Sequence, residues 1–250
     1  MKRKFSGQFN YLCDQGKVRK SNEDVVKGLL NTNNDVLLFV ADGMGGHNKG
    51  EYASNLILNC LTRDFLEKKF FFNSIDAYSW LIKEGKKINT KMFDYQEKNE
   101  DFKGMGSTLC AVIITKSKFI VMNVGDSRCY ILKDKKLIQM TEDHTYVNYL
   151  VKSGQISEKE ALIHPKRHYL TNCVGINPSF SCDISIHEYH GEPIFICSDG
   201  LYNNVSIQDI EANLNTKVLT NEKVKNLVNL ANFNGGTDNI SCILWECFND

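Results

Sequence analysis

The sequence predicts an α+β fold in which two packed β-sheets carry helices on both outer faces. Three observations predict it. Two long segments of helical apolar spacing are followed by a meander of short β-branched runs, then by further helices and a last strand, an order unlike alternating βαβ units. The strand-like runs outnumber what one small sheet needs. No repeat, low-complexity tract or Pro/Gly/Ser linker divides the chain, and with only three prolines in 250 residues, residues 1–250 read as one domain.

The elements follow in order. A short strand lies near Phe9–Cys13, a loop runs through Asp24, and Asp35–Ala41 is a strongly apolar strand. A helix starts at about Gly50, because Ala53, Leu56, Ile57, Cys60, Leu61 and Phe65 recur at helical spacing. A second spans about Ser74–Tyr95, with Leu81, Ile88 and Met92 on one face and Asn73 or Ser74 as its cap. Ser107–Thr115, Phe119–Val124, Arg128–Leu132 and Leu137–Met140 are strands, with hairpin turns at Lys116-Ser117-Lys118 and Asp134-Lys135-Lys136. Residues 142–170 are polar and read as short helices and a surface loop. Ile194–Cys197 is a strand, Ser206–Asn213 and Asn221–Phe233 are helices, and Ile240–Trp245 is the closing strand.

Thirty basic and thirty acidic side chains give a net charge of zero, which argues against a general nucleic-acid or anionic-membrane binder. The longest apolar runs fall far short of the ~20 residues that span a bilayer. The basic start Met1-Lys2-Arg3-Lys4-Phe5 lacks the apolar stretch of a signal peptide. Nine cysteines, with no Cys-x-x-Cys pair and most of them in apolar runs (Cys110, Cys129, Cys197, Cys242), fit a reduced, cytoplasmic location. His187-x-x-His190 and His164-x-x-x-His168 have no third ligand at a zinc-site spacing.

Four acidic clusters carry the chemistry: Asn22-Glu23-Asp24, Asp42-Gly43-Met44-Gly45-Gly46, Ser198-Asp199-Gly200 and Thr237-Asp238-Asn239. Three adjoin strands: Leu37–Ala41 runs into Asp42, Ile194–Cys197 runs toward Asp199, and Asp238 leads into Ile240. One Asp-Gly pair is most simply a turn. Two of them ending apolar runs, with Asp238 opening a third, suggest carboxylates held at the rim of a core. Such carboxylates repel one another unless a cation lies between them, and oxygen ligands select hard ions such as Mg²⁺ or Mn²⁺. Glycine beside aspartate lets a backbone carbonyl approach an ion. Arg19, five residues before Asp24, can hold two phosphate oxygens at once.

These residues resemble the metal-dependent Ser/Thr protein phosphatases of the 2C type (the PPM family) in their compact bacterial-like form. The resemblance rests on Arg19-Lys20-Ser21-Asn22-Glu23-Asp24, Val40–His47, Gly50-Glu51-x-Ala53-Ser54, Gly104–Thr108, Asn123-Val124-Gly125-Asp126-Ser127-Arg128, Thr141-x-Asp143-His144, Gly154-x-Ile156, His164-Pro165-x-Arg167, Ser198–Leu201 and Gly236–Ile240. It runs in family order from about Phe9 to Trp245. It implies a central two-sheet antiparallel β-sandwich flanked by helices, with two Mn²⁺ or Mg²⁺ ions at one end. By motif match, Asp42 bridges the ions and Gly43 lends its carbonyl to one of them. Asp199 and Asp238 bind the other ion. Asp24 and Glu23 serve the first, Glu23 from the outer shell. Asp126 matches a weaker third-metal residue, Arg19 the phosphate anchor, and residues of about 143–168 the flap that influences substrate choice.

The implied reaction is hydrolysis of phosphoserine and phosphothreonine in proteins by a water shared between the ions, with no phosphoenzyme. Two departures stand out. Met44 occupies the position of a histidine proposed as general acid in animal members, leaving His47 or a metal-bound water as donor. Asn203 replaces a further third-metal carboxylate. Rival readings are a binding module with this fold and no turnover, a small-molecule phosphohydrolase on the same site, and a thiol phosphatase built on the Cys13-x5-Arg19 spacing. The last lacks a histidine before the cysteine and places Asp14 inside the anion cradle. The expected partners are phosphorylated proteins and a cognate Ser/Thr kinase, the expected state is a monomer, and neither nucleic-acid binding nor membrane insertion is expected.

Overall fold

The computed structural model describes residues 5–46 and 48–248. Strands β1 (Gly7–Asp14), β2 (Asp24–Leu30) and β3 (Val36–Met44) precede helices α1 (Asn48–Glu67) and α2 (Ser74–Lys98). A meander follows: β4 (Gly106–Ser107), β5 (Leu109–Thr115), β6 (Lys118–Val124), β7 (Arg128–Lys133) and β8 (Lys136–Gln139). Helices α3 (Tyr146–Lys152) and α4 (Glu158–Ile163) come next, then β9 (Asp183–Glu188) and β10 (Ile194–Cys197). Helices α5 (Asp199–Tyr202), α6 (Ile207–Leu214) and α7 (Thr220–Phe233) lead to β11 (Ile240–Cys247).

The strands form two antiparallel sheets, in the orders β1-β11-β10-β7-β8 and β2-β3-β5-β6-β9, with β4 paired to β3. Val26, Leu38, Val40, Val112, Ile196, Ile243 and Trp245 fill the space between the sheets. The outer face of the second sheet packs on α1 and α2 through Phe39, Ile57, Phe65, Leu81 and Met92. The outer face of the first packs on α5, α6 and α7 through Phe195, Leu201, Ile210, Leu227 and Leu244. This is the α/β/β/α order expected, and it explains the unbroken apolar run of β3. Leu37, Phe39 and Ala41 face the helices while Leu38 and Val40 face the other sheet, so both faces are buried.

Local signals set the element ends. The Asn73 side chain accepts from the Asp76 N–H at 2.9 Å and caps α2, an arrangement that stabilises a helix by about 1 kcal/mol. Asp134 and Lys135 both take positive φ, which a two-residue hairpin needs to match strand twist. Three elements lie outside the sequence reading. Residues 25–34 carry no clear alternation, yet β2 forms, because the Phe9 ring fills the space over Gly28, where a Cβ would meet it at 2.4 Å. Strand β9 is an edge strand whose Ile184 is half-buried and Ile186 exposed, so its period is faint. Helix α5 is a single turn directly after β10.

Candidate active site

One end of the sandwich gathers the acidic residues. Asp24 opens β2 and stands opposite Asp42 near the end of β3. Asp126 lies in the turn between β6 and β7, where Gly125 takes φ +102°. Asp199 begins α5 one residue after β10, and Asp238 precedes β11 by one residue. Strands β7, β10 and β11 are adjacent and register Arg128 with Cys197 and Cys197 with Cys242, which brings these termini level.

The backbone around the acids is fixed. The Asp42 N–H donates to Thr108 Oγ1 at 2.9 Å, and the Asp42 carbonyl accepts from Thr108 N–H at 2.8 Å and Ser107 Oγ at 2.9 Å. Gly43 N–H donates to the Glu23 carbonyl at 3.0 Å. A Cβ on Gly43 would lie 2.0 Å from the Gly50 carbonyl oxygen, so only glycine lets α1 start this close to β3. At Gly200 the same test meets the Asn239 carbonyl at 1.9 Å, which ties α5 to the start of β11. Asn239 is a hub that sequence reasoning missed. Its Oδ1 accepts from Glu23 N–H, and its Nδ2 donates to the carbonyls of Gln15 and Ser21. The Asn-after-Asp pairing in its cluster was the only available signal.

The side chains are electrostatically strained as a group. Burial pushes Asp24 up to about 6, against the hydrogen bond from Ser198 that favours its charged form. Burial, then the charge of Asp143, lifts Asp126 to about 7. Asp42 is held well above the ordinary carboxylate range by burial and by Asp24 and Asp199. Asp199 is held up by burial and by Asp126 and Asp238, and burial also raises Glu23. Each charge penalises the others.

Arg19 reaches this group directly. Its Nη2 donates to Asp238 Oδ2 at 2.7 Å, and that hydrogen bond raises the guanidinium pKa further. Among the described residues no three His, Cys, Asp or Glu side chains already form a closed metal-binding set. The donor set nevertheless fits hard cations. Asp24 Oδ1 and Asp199 Oδ1 are buried oxygens with no hydrogen-bond partner, an arrangement costly for anionic groups unless a cation satisfies them. Every group is oxygen-bearing, as hard divalent ions require.

A groove of about 1780 Å³ opens over the acids, lined by Arg19, Asp42, Asp126, Asp199 and Asp238, with Asp24 buried beneath. Its far wall comes from residues that the acidic clusters did not indicate. His168 Nδ1 stands 4.0 Å from Asp199 Oδ2, and Arg167 lies beside it. Burial, followed by the charge of Arg167, lowers the His168 pKa. Arg128 grips Asp143 through Nε at 3.0 Å and Nη2 at 2.6 Å, and its guanidinium stacks 3.7 Å from the Tyr202 ring centre. Asn203 donates to Asp199 Oδ2 at 3.2 Å, so its amide braces a carboxylate where a third acid would add charge. Met44 ends β3 at the groove, while His47 lies outside the described residues.

Two rivals lose their footing. Cys13 Sγ donates to the Asp24 carbonyl and accepts from Asn22 Nδ2, and burial followed by the charge of Asp24 pushes the thiol up to about 12. It is therefore no thiolate nucleophile at neutral pH. His187 stacks on Phe119 and bonds Ser185 Oγ at 2.7 Å, so its role is packing on β9.

Known proteins resemble this chain in sequence and fold. Residues 17–233 match the family model described as Protein phosphatase 2C. A curated relative, the serine/threonine phosphatase stp of Listeria welshimeri, is 36% identical over 237 residues, covering 94% of each chain. The crystal structure of the serine/threonine phosphatase Stp1 from Staphylococcus aureus superposes with a TM-score of 0.92 at 31% identity, covering 100% of this chain and 98% of that one. The catalytic domain of the serine/threonine protein phosphatase PstP, solved in complex with two manganese ions, superposes with a TM-score of 0.86 at 29% identity, covering 98% and 100%. With a family model matching residues 17–233 and relatives matching over nearly its whole length, the chain belongs to the protein phosphatase 2C family.

Proposed function

We propose that this chain is a metal-dependent phosphatase that removes phosphate from phosphoserine and phosphothreonine in proteins. The observation that carries the reading is the convergence of Asp24, Asp42, Asp126, Asp199 and Asp238 with Arg19 at one mouth of the sandwich. Asp42 and the Gly43 carbonyl would hold one Mn²⁺ or Mg²⁺ together with Asp24 and, from behind, Glu23. Asp42, Asp199 and Asp238 would hold a second, and Asp126 a weaker third. Such ions supply positive charge against the phosphoryl oxygens and acidify water enough for attack at neutral pH.

The protein's own residues do the rest. Arg19 fits two phosphoryl oxygens with its planar fork and holds the group for in-line displacement. Its present partner is Asp238, so phosphate and Asp238 compete for the same guanidinium. Ser198 Oγ, donating to Asp24 Oδ2 at 2.7 Å, fixes that buried carboxylate and leaves its Oδ1 unpaired. Met44 cannot donate a proton to the leaving oxygen, which leaves that step to water or to a histidine. The segment of about 143–168 would act as a flap over the groove, within a single catalytic domain. A cognate Ser/Thr kinase as counterpart, a monomeric state and a cytoplasmic location complete the reading, the last supported by nine free cysteines. No helix among the described residues is long and apolar enough to cross a membrane.

The test is phosphate release from a phosphothreonine peptide. It should require Mn²⁺, stop with EDTA, and survive thiol alkylation. Tight Mn²⁺ binding with no release from any phosphopeptide would instead make the chain a binding module.

A further inference from the structure

Helix α4 is built unlike the other helices around the core. None of its six residues is buried, and it is held by a capping box in which Ser157 and Glu160 satisfy each other's backbone N–H groups. It nevertheless ends in two large apolar side chains, Leu162 at 76% and Ile163 at 82% exposure. Neither contributes to the core, and both carry the cost of apolar surface left in water. Leu162 and Ala161 line the same groove as Asp42, Asp199 and Asp238. At about 1780 Å³ that groove exceeds what a small ligand fills. It has room for a stretch of polypeptide on either side of one phosphorylated side chain.

We infer that Leu162 and Ile163 form an apolar docking rim that selects phosphoprotein substrates carrying a large aliphatic or aromatic side chain near the phosphorylated residue. The inference rests on the phosphatase reading and adds the substrate class to it. The occupant is a substrate chain because Leu162 lines the groove that holds the acids, with Ile163 next to it in the chain just outside that lining. With its phosphate at Arg19, a polypeptide laid along the groove toward α4 passes Leu162. Arg167 on the same wall then faces the peptide backbone or an acidic neighbour, and the apolar contact gives the selectivity.

The experiment compares phosphothreonine peptides that carry Leu or Phe at successive positions on either side with peptides that carry Ser there. Wild-type protein with Mn²⁺ should favour the apolar peptide at one spacing by about tenfold in kcat/KM, mostly through KM. The double variant Leu162→Ser, Ile163→Ser should lose that discrimination and keep its melting temperature, since both side chains are exposed. Equal rates on all peptides by the wild type, or discrimination retained by the variant, would overturn the inference. So would sedimentation showing that the substitutions only separate two copies of the chain. Should no peptide release phosphate, the phosphatase reading fails separately. The same peptides are then read by fluorescence anisotropy, and equal affinity for wild type and variant overturns the rim as well.

Discussion

Asp199 and Asp238 reach the groove on opposite sides of a single strand pair, one leaving β10 and the other entering β11. Their closeness is unfavourable in the protein alone, since Asp199 is held above the ordinary carboxylate range by burial and by its acidic neighbours. Asp199→Ala or Asp238→Ala should therefore cost about 10²–10³-fold or more in turnover. The EDTA-treated variant should nevertheless melt no lower than the wild type, because one repulsive charge has gone. Wild-type turnover in either variant would remove these residues from the site. Arg19→Ala should raise KM for a phosphopeptide more than it lowers kcat, and an unchanged KM would leave Arg19 with only its Asp238 contact. Individual acids and their flanking glycines were readable from the sequence because each needs a particular residue type at a strand end. Asn239 and Arg128 were not singled out, because an amide hub and a carboxylate clamp depend on partners far away in the chain.

The segment between β8 and β9 is tied at a narrow neck. Thr145 and Leu170 form an isolated bridge, Tyr146 N–H donates to the Tyr169 carbonyl at 2.8 Å, and Thr171 N–H donates to the His144 carbonyl at 2.8 Å. Asp143, at the base of the neck, is clamped by Arg128 from β7, and Arg128 stacks on Tyr202 from α5. Tyr202 in turn donates to the Asp126 carbonyl at 3.1 Å. Posture of the segment and placement of Asp126 thus share one guanidinium. Arg128→Lys keeps the charge but loses the fork and the stacked plane. It should speed proteolytic cleavage within 143–168 and lower kcat/KM on a phosphopeptide by about tenfold, and an unchanged cleavage rate would show that the clamp holds nothing. Pattern alone located the apolar strands and the amphipathic helices, because burial on a defined face imposes a period. It missed β2, where Lys27 and Gly28 interrupt the apolar run, β9, an edge strand with several exposed positions, and α5, which is too short to show a period.

For the molecule as a whole, the carboxylates make folding and ion binding one problem. Ions that bind only the folded chain stabilise it by about 2.7 kcal/mol at a hundredfold excess over Kd. For a chain of this length that is a rise of roughly 5–10 °C in melting temperature. Calorimetry with Mn²⁺ against EDTA checks this, and no shift would argue that the acids never enclose an ion. The layered architecture was readable because strand runs and helical periods come in separate blocks along the chain, whereas the strand order inside each sheet was not. That order places β11, the last strand, between β1 and β10, paired with β1 from Gly7–Cys247 to Asp14–Ile240. The pairing has a consequence for synthesis on the ribosome. The sheet of β2, β3, β5, β6 and β9 can assemble once residue 188 has emerged. The other sheet cannot join β1 to β10 until β11 has emerged, and β1 waits with an open edge until then. Asp238 lies just ahead of that same strand, so a nascent chain acquires a complete acidic mouth only once β11 has emerged. A chain stopped short of Asp238 should thus be an inert fragment.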